Sequence, residues 1–544
     1  MTDQITANRL ARDKAIAKIA SMQVETTALI EYQSSGKVIV IGNEEAMEFA
    51  PRLRDHGLSP IVLLTGGSVE SGEVVVPVGG RAISVEGYLG NFTITLGERG
   101  KPNFEVLQTD LLLDLSKDAI FTMPIKPPGY FIADTVNEVS LLNAITQLQE
   151  LTGTFEKPRY FNYDLSICAH SRSGQVGCTR CIDVCPTQAI TSLAEAIEVN
   201  PYLCQGGGVC DAVCPTGALR YVYPNAADML TRIRQLLKHY RKEGGVSPVI
   251  VFISEADYEQ VGEWQDNMLP VILEELASVG MDVWLSALAY GAATVVLLQA
   301  GSVPETVSAA IEEQLAFSKS ILAGMHYDSA VIQYMSIDDL PSHVMSSMPE
   351  IDIAGYTGNN EKRRTLYFAI DNLARNASEL TAEISLPLNA PFGRIHVDSD
   401  LCTLCMGCTS VCPTTAVQAG NDLPQLSFVE SICVQCGLCQ AACPEQAIQL
   451  QPRLLTDPEK RRSKIILHEE SPFLCVTCGK PFATQSIIDN IMNKLSAHAM
   501  FQSERSKQRL KMCEDCRVVD AVQDADAMQA GLVTTRQDDS VNGL

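Results

Sequence analysis

One stretch, Cys402 to Pro444, constrains what this chain can fold into more than any other. It reads Cys402-x-x-Cys405-x-x-Cys408-x-x-x-Cys412-Pro413 and then Cys433-x-x-Cys436-x-x-Cys439-x-x-x-Cys443-Pro444. Three thiolates at this spacing wrap one corner of an iron–sulfur cube, while the fourth is carried off on a helix and reaches the neighbouring cube. The spacing therefore predicts one cube on Cys402, Cys405, Cys408 and Cys443, and a second on Cys433, Cys436, Cys439 and Cys412. Each proline turns the chain away after the last ligand, because it cannot continue the local hydrogen bonding. Zinc asks for two CxxC pairs rather than this doubled frame. Two [4Fe-4S] clusters are thus expected in a unit spanning residues 391–452.

The segment resembles bacterial two-[4Fe-4S] ferredoxins, and an imperfect copy of it precedes it at residues 156–225. Cys178-x-x-Cys181-x-x-x-Cys185-Pro186 lacks its first cysteine, Gln175 standing in that place. Cys204-x5-Cys210-x3-Cys214-Pro215 lacks its middle one, where Gly207 sits within Gly206-Gly207-Gly208. The frame after each last cysteine survives, as Pro186-Thr187-Gln188-Ala189-Ile190 and Pro215-Thr216-Gly217-Ala218-Leu219. Cys168, on a looped-out approach, replaces the missing ligand and gives a cube on Cys168, Cys178, Cys181 and Cys214; a plain buried thiol is the alternative. Cys185, Cys204 and Cys210 leave a site with three thiolates. That site is read as [3Fe-4S], as a cube with one iron open, or as empty. His170, in the loop between Cys168 and Cys178, is expected to be structural.

Past the regular unit, Asp457 to Lys464 reads as a solvated charged linker. Cys475-x-x-Cys478-Gly479-Lys480-Pro481 and Cys513-x-x-Cys516 then offer a tetrahedral thiolate site within 453–520. The Cys-Gly-x-Pro turn resembles a zinc-ribbon knuckle, with structural zinc the first choice and a single rubredoxin-like iron the rival. Helices are expected at Thr484–His498 and Glu504–Lys511, and the acidic tail 521–544 is expected to be flexible.

The cysteine-free regions switch to α/β periodicity. In 1–155 the chain offers an amphipathic helix over 1–30, a strand at Lys37–Gly42, a helix at Glu44–His56, and strands at Pro60–Leu64, Glu73–Val78, Phe92–Leu96 and Leu111–Leu115. No Gly-x-Gly-x-x-Gly turn follows the first strand, so Gly42 requires only a tight strand-to-helix turn and no nucleotide. Residues 226–345 form a second α/β block, and 346–390 read as a linker carrying a surface helix at Lys362–Asn376. The uncharged run Val283–Pro304 is broken by Ser286, Gly291, Thr294 and Gln299, which suits a buried helix and strand better than a membrane span. The fold class expected is α/β plus α+β: two α/β domains, two ferredoxin-like 2[4Fe-4S] units and a zinc-ribbon-like C-terminal element.

Forty-one basic against 65 acidic residues leave a net charge of −24, which opposes a nucleic-acid partner and suits docking on a basic patch of a redox protein. All 19 cysteines fall in metal-type groups, a usage that belongs to a reducing compartment. With no basic start followed by an apolar core at Met1–Thr6, a cytoplasmic location is expected.

The block with Gly280-Met281-Asp282-Val283-Trp284 resembles the delta subunit of methyl-viologen-reducing hydrogenases and heterodisulfide reductases, but without that subunit's cysteines. The whole arrangement, including Cys168-Ala169-His170-Ser171-Arg172-Ser173-Gly174 before the first cassette, resembles the large multidomain 4Fe-4S ferredoxins that accompany proteobacterial formate dehydrogenases. The resemblance implies an electron carrier, without substrate chemistry of its own, that serves a molybdenum- or tungsten-dependent formate dehydrogenase. A subunit of a heterodisulfide-reductase-like complex and a non-redox assembly factor are the alternatives. No Ser/His/Asp set, phosphate loop, or flavin or pterin signature stands in the sequence.

Overall fold

The computed structural model describes residues 2–22, 25, 27–67, 74–135, 137–342, 345–421, 423–495, 498, 501 and 503–524. The chain divides into two compact units: Met1–Cys168 with Thr179–Thr381, and Ala169–Cys178 with Ala382–Leu544.

In the first unit the helix Thr2–Ile19 buries, among its described side chains, Ala11, Ala15 and Ile19, a stripe four residues apart, and it packs on the helix Ala226–Lys242. It is shorter than the element expected over 1–30, because Leu29–Ser34 is a strand paired with Gly153–Pro158. A five-stranded parallel sheet follows, in the order Val75–Pro77, Ser59–Leu64, Lys37–Gly42, Leu111–Asp114, Tyr130–Ile132. The run Val38–Ile41 is wholly buried, as a strand covered on both faces must be. Val38 and Val40 face the helices Glu44–Asp55 and Glu138–Glu150, while Ile39 and Ile41 face an antiparallel sheet through Phe92, Ile94 and Leu96. At Gly42 a Cβ would stand 3.2 Å from those of Ala46 and Leu115, so the tight turn accounts for the glycine. Of the expected strand Glu73–Val78, Glu73 lies outside the described residues and Val75–Pro77 is present.

The second α/β block carries a four-stranded parallel sheet in the order Met268–Leu273, Val249–Ser254, Thr294–Gln299, Ile332–Ser336. The uncharged run resolves into the helix Met281–Ala289 and the strand Thr294–Gln299, both buried. Among the described residues no helix is long and apolar enough to cross a membrane. One correction falls here. The helix Lys362–Asn376 is no surface element: it buries Leu366, Ala369, Ile370, Leu373 and Ala374 and packs on Met281–Ala289. Its apolar positions recur at helical spacing, and two buried polar residues, Thr365 and Asn372, mask the stripe in the sequence.

In the second unit the strand Ile448–Leu455 pairs with Gly393–Val397 and Glu383–Ser385. Gln425–Val429 lies between Val417–Ala419 and Lys464–Glu469. The charged connector is accordingly not a solvated linker. Asp457 caps the short helix Pro458–Arg462, and Arg461, 2% exposed, donates to the Leu455 carbonyl at 2.6 Å before the chain returns to the sheet. Beyond it lie a hairpin, Pro472–Leu474 with Pro481–Thr484, and the helices Gln485–Leu495, Glu504–Arg509 and Glu514–Val522. The last of these runs past residue 520, where the tail was expected to begin, and residues 525–544 lie outside the described residues.

Candidate metal centres

The four Cys-Pro turns are built alike. Three residues after Cys185, Cys214, Cys412 and Cys443 the backbone turns left-handed, at Gln188 (φ 52°), Gly217 (74°), Thr415 (55°) and Gln446 (52°). The next residue in each turn, Ala189, Ala218, Ala416 or Ala447, is buried. Thr187, Thr216 and Thr414 set their hydroxyls 3.4, 3.6 and 3.9 Å from the sulfurs of Cys185, Cys214 and Cys412. At Cys443, where Glu445 replaces the threonine, the Ala447 N–H donates to the sulfur at 3.3 Å.

A second device marks the middle cysteines. Cys405 is flanked by left-handed Leu404 (φ 54°) and Met406 (60°), and Cys436 by Gln435 (54°) and Gly437 (81°). The same pair recurs as Gly206 (82°) and Gly208 (68°), so Gly207 occupies a ligand loop without a ligand, and a Cβ there would meet nothing within 4 Å. Cys168 carries the dihedrals of a first cysteine: φ −70°, ψ 134° after a short 3-10 turn, against −72° and 133° at Cys433.

In the second unit the thiols sort by mutual influence. Burial pushes Cys408 up to about 12, and the neighbouring thiols that add to it are Cys402, Cys405 and Cys443. Burial also raises Cys436 to about 12, reinforced by Cys433 and Cys412. Cys439 rises through burial and then Cys433, Cys436 and Cys412, with Cys408 linking the two sets. The thiols thus fall into two mutually influencing groups, one around Cys408 and one around Cys436 and Cys439. Thiols crowded this way resist ionising together without a cation among them, which is the environment a polynuclear metal centre fills. Arg453 braces the second quartet: it forks onto both oxygens of buried Glu430 at 3.1 and 2.7 Å, in the turn that delivers Cys433.

In the first unit Cys168, Cys181, Cys185, Cys204, Cys210 and Cys214 share one apolar nest with Phe161, Ile190, Ile197 and Leu219. Cys210 is raised by burial and then by Cys204 and Cys185, which places the three-thiol group together. Lys157 donates to the Cys204 carbonyl at 2.6 Å, and burial lowers its ammonium to about 8. Cys178 is counted with the second unit, where His170, 2% exposed, puts Nδ1 2.9 Å from the Cys178 carbonyl.

Cys475, Cys478, Cys513 and Cys516 hold their four sulfurs within 4.8 Å of one another, and Cys478 and Cys513 are 3.7 Å apart. A tetrahedral ion with bonds of about 2.3 Å needs sulfurs about 3.8 Å apart, so the group fits one metal ion. Burial opposes ionisation of Cys475, but N–H groups of Cys513, Cys478 and Thr477 outweigh it and bring the thiol down to about 6. The helix Glu514–Val522, which presents Cys516, has no counterpart in the sequence reading.

Sequence reasoning did not reach Arg453, Lys157 or the left-handed pairs at Leu404, Met406 and Gln435, since none of these residue types announces its role. Comparison with known families gives two overlapping matches to 4Fe-4S dicluster domains, over residues 394–444 and 432–483. No curated protein matches the chain. The matched stretch carries both quartets and marks the chain as an iron–sulfur electron-transfer protein.

Proposed function

We propose that the chain relays single electrons through several iron–sulfur centres to or from a formate dehydrogenase. What supports electron transfer is the match of residues 394–444 and 432–483 to 4Fe-4S dicluster domains, together with thiols of the two cassettes acting on one another. The formate dehydrogenase partner rests on the sequence resemblance. Iron–sulfur clusters supply reversible one-electron chemistry. The chain's residues do the rest. Cys402, Cys405, Cys408 and Cys443 hold one cube, and Cys433, Cys436, Cys439 and Cys412 the other. Leu426, Phe428 and Ile448 keep water from the space around them. Cys168, Cys181 and Cys214 hold a third centre, and Cys185, Cys204 and Cys210 hold one with a corner free at Gly207. Cys475, Cys478, Cys513 and Cys516 bind zinc and tie the C-terminal hairpin to its last helix.

Protein prepared without oxygen is expected to contain iron, acid-labile sulfide and one zinc, and to take up electrons from a molybdenum- or tungsten-dependent formate dehydrogenase. Intact clusters that such an enzyme leaves oxidised overturn the partnership; missing sulfide overturns the whole reading. The open space at Gly207 favours a second reading, a subunit of a heterodisulfide-reductase-like complex with the free corner near a substrate. A stoichiometric complex with a disulfide-reducing subunit decides for it.

A further inference from the structure

We infer that Arg172 keeps the more enclosed of the two cubes of the 402–443 stretch reducible, by fixing a positive charge at the peptide of Cys412. The inference rests on the reading of those eight cysteines as two cubes. The quartets differ in enclosure. In the first, Cys405 is exposed, Cys402 and Cys443 are half-buried and Cys408 is buried; in the second, Cys436 is half-buried and Cys412, Cys433 and Cys439 are buried. A cage held by four thiolates grows more negative on taking up an electron, and removal from water penalises the more charged state. Enclosure alone therefore makes the second cube the harder to reduce.

Arg172 opposes that penalty. It lies on a two-stranded hairpin, Ser171–Arg172 with Gln175–Val176, within the Ala169–Cys178 segment of the second unit. The hairpin exists because nine residues lie between Cys168 and Cys178, where two lie between Cys433 and Cys436. It is seated closely: a Cβ on Gly177 would stand 2.6 Å from Cγ of Leu438, and the Cys178 thiol acts on Cys436. From there the Arg172 guanidinium donates to the Cys412 carbonyl at 3.2 Å. Among the described residues no carboxylate pairs with Arg172, whereas Arg453, on the other side of the quartet, is neutralised by Glu430. Near the first quartet Glu445 is itself paired with Lys494 at 3.0 Å, and Glu470, 3.1 Å from His468, acts on Cys402. Charge and hydrogen bonding around the sulfurs are the levers by which a protein sets cluster potentials, so Arg172 is a positioning and potential-setting residue.

The test is a potentiometric titration of the full-length, cluster-loaded protein, followed by EPR, with iron and sulfide measured on every preparation. Reduction of both cubes yields a magnetically coupled pair, and the potential at which the coupled signal appears reports the harder cube. Arg172→Gln keeps a donor and removes the charge. It is expected to disfavour the doubly reduced form about tenfold, a downward shift of about 59 mV for a one-electron couple. Arg172→Lys is expected to titrate with the wild type. Gln175→Glu, which puts a carboxylate across the hairpin from Arg172, is expected to lower the coupled signal likewise and stands in if Arg172→Gln loses iron. A coupled signal at the wild-type potential in Arg172→Gln, or an equal fall in Arg172→Lys, overturns the inference. A wild-type preparation without sulfide overturns the two-cube reading instead.

Discussion

Gly206 and Gly208 repeat, at φ 82° and 68°, the left-handed pair that frames Cys405 and Cys436. The glycines are legible, since only glycine takes this conformation freely. Leu404, Met406 and Gln435 take it at a cost of about 1–2 kcal/mol each, and nothing in those residue types gives that away. Position 207 has the loop, the space and an ordinary φ, so Gly207→Cys should introduce a fourth thiolate without strain. The expected outcome is one more iron per chain and conversion of any oxidised-state [3Fe-4S] signal to a four-iron centre. Unchanged iron, with the introduced thiol freely alkylated, would show that the corner is not part of a metal site.

Elements were readable where one period dominated. The parallel strand Lys37–Gly42 carries a continuous apolar run from Val38 to Ile41 and stands where the pattern puts it. The four Cys-Pro turns were equally legible because their frame is local. What escaped was anything decided by a distant partner. Glu514–Val522 exposes most of its length and buries none of its residues, and Cys516 and the Asp515–Lys480 pair tie it to the Cys475 hairpin, so no buried stripe signals it. Lys362–Asn376 hides its stripe among Thr365, Asn372 and three leading basic residues. Its status has a direct check. Leu373 is fully buried, so Leu373→Ala is expected to cost about 2–5 kcal/mol through lost packing and a residual cavity. Chemical denaturation of the first unit's transition measures this. A loss within about 0.5 kcal/mol is the value for a surface position and would return the helix to the role of a linker.

At the scale of the molecule, the quantity that bears on partners is the charge of −24 over 544 residues. It adds nothing to a contact between two buried groups, but it shapes the encounter that precedes one. A donor with a basic docking face is drawn in over distances that salt controls, since the screening length is about 30 Å at 0.01 M and about 3 Å at 1 M. Steering of this kind raises association rates by about 10- to 1000-fold at low salt. The exposed sulfur of Cys405 gives the first quartet an edge toward solvent, and electrons pass there only if the partner is held close. The second-order rate of electron uptake is therefore expected to fall at least about tenfold between about 0.01 and 0.5 M salt. The rate within a preformed complex should stay constant over that range. Stopped-flow absorbance of the clusters at increasing donor concentration separates the two. A second-order rate indifferent to salt would mean that the partner recognises this chain through apolar surface, and that the acidic excess serves solubility alone.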